Sequence, residues 1–221
     1  MTNARALVAE IGRDLRPIEE QLLRHPYLQA LEMGRVPREK LRVFAGEQYA
    51  VIKSDLRSVA LLTSRFGGSP SRDFFLTVLQ GERTALDNVQ TFARAVKMEG
   101  SDLRAYEPLP GAHAYTCYMA WLALYGSDAE VAAAYLVNFP AWGRNCGRMS
   151  RSLQEKYGLG EAEVRFFDDF AAPTAEFEPA ALAVIQGGLD RGLDSRLVRR
   201  AARLLQGYEL LYWDTLHEAS S

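Results

Sequence analysis

The chain has 221 residues, of which 48% are hydrophobic and 24% are charged, as expected of a folded globular protein. Its net charge of −2 provides no basic field that would attract nucleic acid. No apolar run approaches the roughly 18 residues of a membrane span, and residues 1–15 lack the apolar core of a signal peptide, so we expect a cytoplasmic protein without nucleic-acid or membrane partners.

Helical patterns, each bounded by a capping residue or by glycine and proline, follow one another along the chain. The first helix is predicted to be capped by Thr2 or Asn3, and His25 is predicted to form a cap or turn before the short helix that Pro26 opens. The residues between 100 and 111 are predicted to form a loop. In chain order, the predicted helices cover residues 2–23, 27–32, 38–65, 69–98, 112–125, 129–157, 161–170, 173–191 and 195–217.

The succession of these elements indicates the fold class. The sequence contains no pattern of paired strands, no internal repeat and no linker-like stretch. The helices are long and the loops are short, which favours antiparallel packing of neighbouring helices. The sequence therefore predicts a single all-α domain, a helical bundle that spans residues 1–221.

Glu209 is the residue whose position is most informative about function. Its neighbours at helical spacing are the apolar residues Leu205, Tyr212, Trp213 and Leu216, so its carboxylate is predicted to point into the apolar face of the last helix. Burial of a carboxylate is unfavourable unless the group is paired or protonated. We therefore expect Glu209 to form a specific hydrogen bond or to take part in chemistry.

Two further helices place polar side chains against apolar faces. In the third predicted helix, Glu47 lies at the edge of the apolar arc, and Gln48 and Asp55 lie within it. These residues belong either to a partly solvated helix edge or to the border of a wet cavity. Glu82 lies in the middle of the apolar arc of the next helix, where it is either a buried structural carboxylate or a site residue.

The second half of the chain is rich in aromatic residues. At helical spacing such residues form a core more often than a ligand cage. Aromatic faces beside carboxylates also suit a flat, nitrogen-rich heterocycle, because they provide stacking surfaces and hydrogen-bond acceptors. The aromatic set consists of Tyr115, Tyr118, Trp121, Trp142, Phe166, Phe167, Phe170, Tyr208, Tyr212 and Trp213.

The small number of cysteines and histidines limits the kinds of disulfide and metal site that the chain could form. Cys117 and Cys146 form no CxxC motif, so no disulfide framework is expected, and Cys146 is interpreted as a structural thiol. A di-iron carboxylate site needs several histidines, often in a Glu-x-x-His motif. Only three histidines occur and none stands at that spacing from Glu82. We therefore expect no metal and no cofactor.

Several short motifs, taken in order, resemble those of the TenA/thiaminase II family, which has the all-helical haem-oxygenase-like fold. The likeness extends over nearly the whole chain. Its motifs are HPYLQAL at 25–31, FAGEQY at 44–49, AYTCYM at 114–119, FFDDF at 166–170 followed by Glu176-Phe177, and YELLYW at 208–213.

The resemblance implies hydrolysis of an aminopyrimidine or thiamin-related substrate. In the family a cysteine nucleophile attacks the ring, assisted by an aspartate and a glutamate. Position by position, the resemblance puts Glu209 at that glutamate, Glu47 in place of the aspartate, Tyr115 at a substrate-side tyrosine, Asn138 at the nucleophile and Phe170 in place of a tyrosine. Because asparagine cannot act as a thiolate, carboxylate chemistry is expected instead, as in a cysteine-lacking branch of the family.

The expected function is that of a TenA-like hydrolase or salvage enzyme for a small heterocyclic ligand. Glu209 would be the general acid and base, and Glu47 would orient the substrate. The substrate-binding residues would be Tyr115, Asn138, Trp142, Phe170 and Glu82. The resemblance also implies a homo-oligomer, a dimer or a tetramer. A non-catalytic ligand-binding or accessory protein on the same scaffold and a metal-dependent oxidase of the same fold remain open alternatives.

Overall fold

The computed structural model describes residues 3–172 and 174–220, and these residues form ten α-helices and no β-strand. A short 3-10 turn over Arg38–Lys40 leads into the third helix. No helix of this described part is long and apolar enough to cross a membrane. The helices are α1 Ala4–Leu23, α2 Pro26–Glu32, α3 Leu41–Arg65, α4 Arg72–Ala95, α5 Gly100–Ala105, α6 Pro110–Tyr125, α7 Asp128–Tyr157, α8 Glu161–Ala171, α9 Phe177–Asp190 and α10 Ser195–Ser220.

Capping side chains begin several helices where the sequence predicted them. Asn3 caps α1, because its side chain accepts a hydrogen bond from the backbone N–H of Ala6 at 3.2 Å. The alternative cap, Thr2, lies outside the described residues, as does Pro173, which was predicted to open α9. His25 begins α2, since its Nδ1 atom accepts a hydrogen bond from the Tyr27 N–H at 3.3 Å.

The predicted loop over residues 100–111 is wrong in part. Its first half forms the short helix α5, because the Asp102 side chain accepts a hydrogen bond from the backbone N–H of Glu99 at 2.8 Å and so caps the first turn. The helix α6 begins at Pro110 rather than at 112, since a proline at the first helical position lacks only a donor that would be unpaired there. The segment between them brings Tyr106 and Leu109 against α3.

The hydrophobic core consists of two clusters that meet at a polar layer. Several helices contribute residues to both clusters, and on α3, α4, α7 and α10 a buried polar residue lies between the two sets. On α3, Asp55 lies between Ile52, which belongs to the first cluster, and Val59, which belongs to the second. The same arrangement occurs at Glu82 on α4, at Asn138 on α7 and at Glu209 on α10. The polar residues therefore lie at one level of the bundle.

Candidate active site

A small cavity of about 40 Å³ lies in this polar layer, with room for about three water molecules. The residues predicted to bind substrate all line it, and so does Glu209. Its lining consists of Gln48, Val51, Ile52, Asp55, Glu82, Tyr115, Asn138, Phe139, Trp142, Phe170, Glu209 and Tyr212.

Glu209 is 2% exposed, and its carboxylate is held by two donors. The indole Nε1 of Trp213 donates to its Oε1 atom at 3.1 Å, and the amide nitrogen of Asn138 donates to its Oε2 atom. Burial raises the pKa of Glu209 from 4.5 to about 7, although both hydrogen bonds act in the opposite direction. Near neutral pH, Glu209 is therefore able both to accept and to donate a proton.

Asn138 connects Glu209 to the rest of the polar layer. Its Nδ2 atom also donates to Oε1 of Gln206 at 3.0 Å. Gln206 and Glu209 lie three residues apart on α10, so one amide group of α7 contacts two side chains on the same face of that helix. This arrangement fixes the Glu209 side chain toward the cavity.

Glu47 does not line the cavity, although the sequence grouped it with Glu209. Its Oε1 atom accepts hydrogen bonds from the Tyr106 hydroxyl and from the Leu109 N–H, both at 2.8 Å. Gly46 makes this possible, because a Cβ atom there would lie 2.4 Å from the Tyr106 ring. Burial raises the pKa of Glu47, but the carboxylate faces the segment between α5 and α6.

The cavity face of α3 begins one residue after Glu47. Gln48 lies three, four and seven residues before Val51, Ile52 and Asp55, so the four side chains share one face of the helix, and all four line the cavity. Glu47 lies about 100° around the helix from Gln48 and therefore falls beyond the edge of this face. Gln48 is fixed by its own bond, since its Nε2 atom donates to the Tyr212 hydroxyl at 2.7 Å.

The sequence placed Asp55 and Glu82 on apolar arcs, and the structure brings them to the same cavity. Burial raises the pKa of Glu82 to about 7. Burial also raises the pKa of Asp55, and the neighbouring Glu82 charge raises it further. Asp55 was not proposed as a site residue, although its spacing of seven residues from Gln48 was the signal that could have identified it.

Two tyrosines accompany these carboxylates. Burial, together with Asp55, Glu82 and Glu209, raises the pKa of Tyr115, so this hydroxyl remains protonated near neutral pH. Tyr135, which sequence reasoning missed, is buried nearby and its pKa is raised by burial and by Asp55. Its spacing of three residues from Asn138 places it on the same face of α7.

Aromatic rings form the remaining wall of the cavity. The Trp142 ring contacts Phe170 edge-on at 5.9 Å between centroids and Tyr212 at 6.3 Å. The helix α8 approaches α7 closely here, since a Cβ atom at Gly143 would lie 2.7 Å from the Phe170 carbonyl oxygen. The predicted stacking residues Trp142 and Phe170 therefore meet at one corner of the site.

A larger outer pocket of about 370 Å³ adjoins the inner cavity. Glu82, Phe139 and Phe170 line both spaces, so these three side chains form the partition between them. The volume of the outer pocket falls in the range of small-molecule sites, whereas the inner cavity is too small for a heterocyclic ring. A ring that reaches Glu209 therefore requires movement of a side chain in the partition.

Neither cysteine lines the cavity. Cys117 is exposed, whereas Cys146 is wholly buried, and burial raises the pKa of its thiol, which leaves it protonated near neutral pH. Within residues 3–172 and 174–220, no group of three or more His, Cys, Asp or Glu side chains is arranged to hold a metal ion.

The helical arrangement defines a class of protein, the haem-oxygenase-like fold. A domain described as having that fold, from Shewanella denitrificans, matches 95% of this chain with a TM-score of 0.75 and 13% identity, over 91% of its own length. A TenA homologue from Pseudomonas syringae pv. tomato has a TM-score of 0.79 at 17% identity, over 96% of this chain and 93% of its own. These likenesses show the fold.

The chain belongs to the TENA/THI-4/PQQC family, whose family model matches residues 13–219. The resemblance drawn from the sequence motifs is thereby confirmed. An aminopyrimidine aminohydrolase from Halalkalibacterium halodurans is 26% identical over 132 residues, which are 59% of each chain. A 4-aminobenzoate synthase from Chlamydia muridarum is 26% identical over 121 residues, 52% of this chain and 51% of the relative. The chain thus matches little more than half the length of these relatives.

Proposed function

We propose that the protein hydrolyses a carbon–nitrogen bond of a small aminopyrimidine and that Glu209 acts as the general acid and base. One observation supports this above all others: a carboxyl group with a pKa of about 7 lines a cavity and is oriented by Trp213 and Asn138. A group whose pKa lies near the working pH is suited to proton transfer in both directions. The aminopyrimidine aminohydrolase among the relatives suggests the substrate class.

The proposed reaction needs one water molecule. Ionised Glu209 accepts a proton from this water as the oxygen attacks the carbon that bears the amino group. A C–O bond forms, the C–N bond breaks, and the protonated Glu209 returns the proton to the departing nitrogen, which leaves as ammonia. Proton transfer of this kind contributes about 10²- to 10⁴-fold to a rate.

The remaining cavity residues would position the substrate. The Asn138 amide nitrogen holds Glu209, and its amide oxygen would accept a hydrogen bond from a ring substituent. Trp142 and Phe170 present faces and edges against which a flat ring is able to pack. The ligand would enter through the outer pocket and displace the Phe170 ring, which is half-buried. Glu47 would act indirectly, by holding the segment that precedes α6.

Release of ammonia from a panel of substituted aminopyrimidines, followed together with loss of the substrate, tests this proposal. Turnover that is first order in enzyme and does not depend on added metal supports the proposal. Saturable binding without turnover by any member of the panel would instead indicate a ligand-binding or accessory protein. Stoichiometric iron together with oxygen consumption would indicate the oxidase alternative.

A further inference from the structure

Asp55 and Glu82 form a buried acidic pair on the cavity wall. They lie on the neighbouring helices α3 and α4 and are 3% and 8% exposed. Neither takes part in an ion pair, and neither side chain forms a hydrogen bond with another residue in the described part of the chain. The hydrogen bonds that orient Glu209 have no equivalent at this pair.

One polar atom of the pair and one beside it have no hydrogen-bond partner among the described residues. Asp55 lines the cavity from α3, and its Oδ1 atom is buried without a hydrogen-bond partner among the described residues. The hydroxyl of Tyr135 on α7 is likewise buried and unpartnered within that part of the chain. Buried polar atoms are nearly always paired, so the open Oδ1 atom beside a cavity needs a donor that enters the cavity, either a water molecule or a group of a ligand.

The charges that surround the pair all have the same sign or are neutral. The titratable groups near it are Tyr115 from α6, Tyr135 from α7, and Tyr212 and Glu209 from α10, and Asp169 from α8 lines the outer pocket beside Glu82. Among the described residues, no lysine, arginine or histidine lines the cavity. Burial, and for Asp55 also the neighbouring Glu82, raises the pKa of both acids. Without a ligand, the pair therefore retains a proton.

Such a pair favours a cation. In a medium of low polarity, two adjacent carboxylates are stabilised either by a shared proton or by a positively charged group between them. A cationic nitrogen would donate to the open Oδ1 atom of Asp55 and replace the retained proton. A neutral hydroxyl would fill the same space without this gain.

We propose that Asp55 and Glu82 form a subsite for a cationic nitrogen of the ligand, an ammonium or amidinium group. On binding, the nitrogen pairs with both carboxylates and about one proton leaves for solvent, which keeps the charge of the site balanced. The idea that this ligand is a substituted aminopyrimidine rests on the proposed function, whereas the cation subsite itself requires no turnover. Both acids are therefore specificity residues that contact the ligand.

A pair of ligands that differ in one charge tests the subsite. The probes are an aminopyrimidine with an aminomethyl substituent and its hydroxymethyl analogue, with affinities measured by titration calorimetry. All measurements use the Glu209→Gln background, which separates binding from turnover and removes Glu209 as a source of protons. Titrations in buffers of different ionisation enthalpy report the number of protons released.

The aminomethyl compound should bind about tenfold more tightly than the hydroxymethyl compound, the order expected of one charge-assisted hydrogen bond, and should release about one proton. Asp55→Asn should abolish the preference and the proton release while raising Tm, because it removes a repulsive buried charge. A merely structural acid would instead lower Tm on substitution. Asp87→Asn, an exposed change on α4, is the matched control and should alter neither.

Equal affinity for the two compounds, or a preference that survives Asp55→Asn, would overturn the proposal. If Asp55→Asn does not fold, Glu82→Gln takes its place. If neither variant folds, the number of protons released when the aminomethyl compound binds to the protein with both acids intact still tests the proposal, because a release of zero contradicts a retained proton. A cation preference without hydrolysis by the native enzyme would leave the subsite standing and reject the proposed reaction. Hydrolysis without a preference for the charged compound would support the proposed reaction and reject the subsite.

Discussion

The amide nitrogen of Asn138 donates a hydrogen bond to the Glu209 carboxylate, which joins α7 to α10 at the cavity. The sequence resemblance puts Asn138 where the family's cysteine nucleophile would stand. The side chain at this position therefore contacts the proposed acid and base directly. Its hydrogen bond favours the ionised form of Glu209 and opposes the effect of burial on the pKa.

Replacement of Asn138 by leucine should move the pH dependence of the reaction. The variant keeps a similar volume but loses the donor, so the ionised form of Glu209 is less stable and its pKa rises further above 7. We expect the acid limb of the kcat/KM profile to shift to higher pH. Gln154→Leu, an exposed change on the same helix, should leave the profile in place. A lower kcat with an unmoved acid limb would contradict this role of Asn138.

The buried acids should make the protein less stable as pH rises through the weakly acidic range. Burial raises the pKa of Glu82 and Glu209 from 4.5 to about 7, so between these values the folded chain binds more protons than the unfolded chain. The free energy of unfolding must then fall with increasing pH, by about 1 kcal/mol per pH unit for each such group. The contribution of Glu82 and Glu209 to the free energy of unfolding is fully present below their pKa in the unfolded chain. It is lost as the pH rises through their pKa in the folded protein.

Urea denaturation at several pH values between about 5 and 7 measures that slope. Glu209→Gln should reduce the slope of the free energy of unfolding against pH by the contribution of one carboxyl group, because glutamine does not titrate. Glu218→Gln, on the exposed side of α10, should leave the slope unchanged. A wild-type free energy of unfolding that rises across this range would show that these carboxyl groups are ionised in the folded protein.

Glu47 should matter more for stability than for the chemical step. Its carboxylate accepts hydrogen bonds from Tyr106 and from the backbone of Leu109, and Glu47→Ala leaves both donors unpaired. We expect a loss of about 1–3 kcal/mol in the free energy of unfolding and a kcat close to that of the wild type. A stable variant with a kcat reduced by two orders of magnitude would instead restore the catalytic role that the sequence suggested.

The sequence predicted the fold well because helical caps and apolar periodicity are local signals. Glu209 was identifiable for the same reason, since its apolar neighbours lie on its own helix. The pairing of Asp55 with Glu82 depends on how α3 packs against α4, and no pattern within either helix determines that register. For the same reason, the sequence could not show whether Glu47 or Gln48 faces the cavity. The two residues are consecutive on α3, and the rotation of that helix in the bundle decides between them. The single-domain span, homo-oligomer and cytoplasmic location stay predictions.

The most direct test of the central claim compares Glu209→Gln with Glu218→Gln on α10. Glutamine keeps the size of Glu209 and its ability to accept the Trp213 hydrogen bond, but it cannot exchange a proton with water or with the leaving amine. We expect Glu209→Gln to lower kcat for ammonia release from aminopyrimidines by about 10²- to 10⁴-fold, with the protein still folded, and Glu218→Gln to retain wild-type activity. Equal activity of the two variants would contradict this role of Glu209.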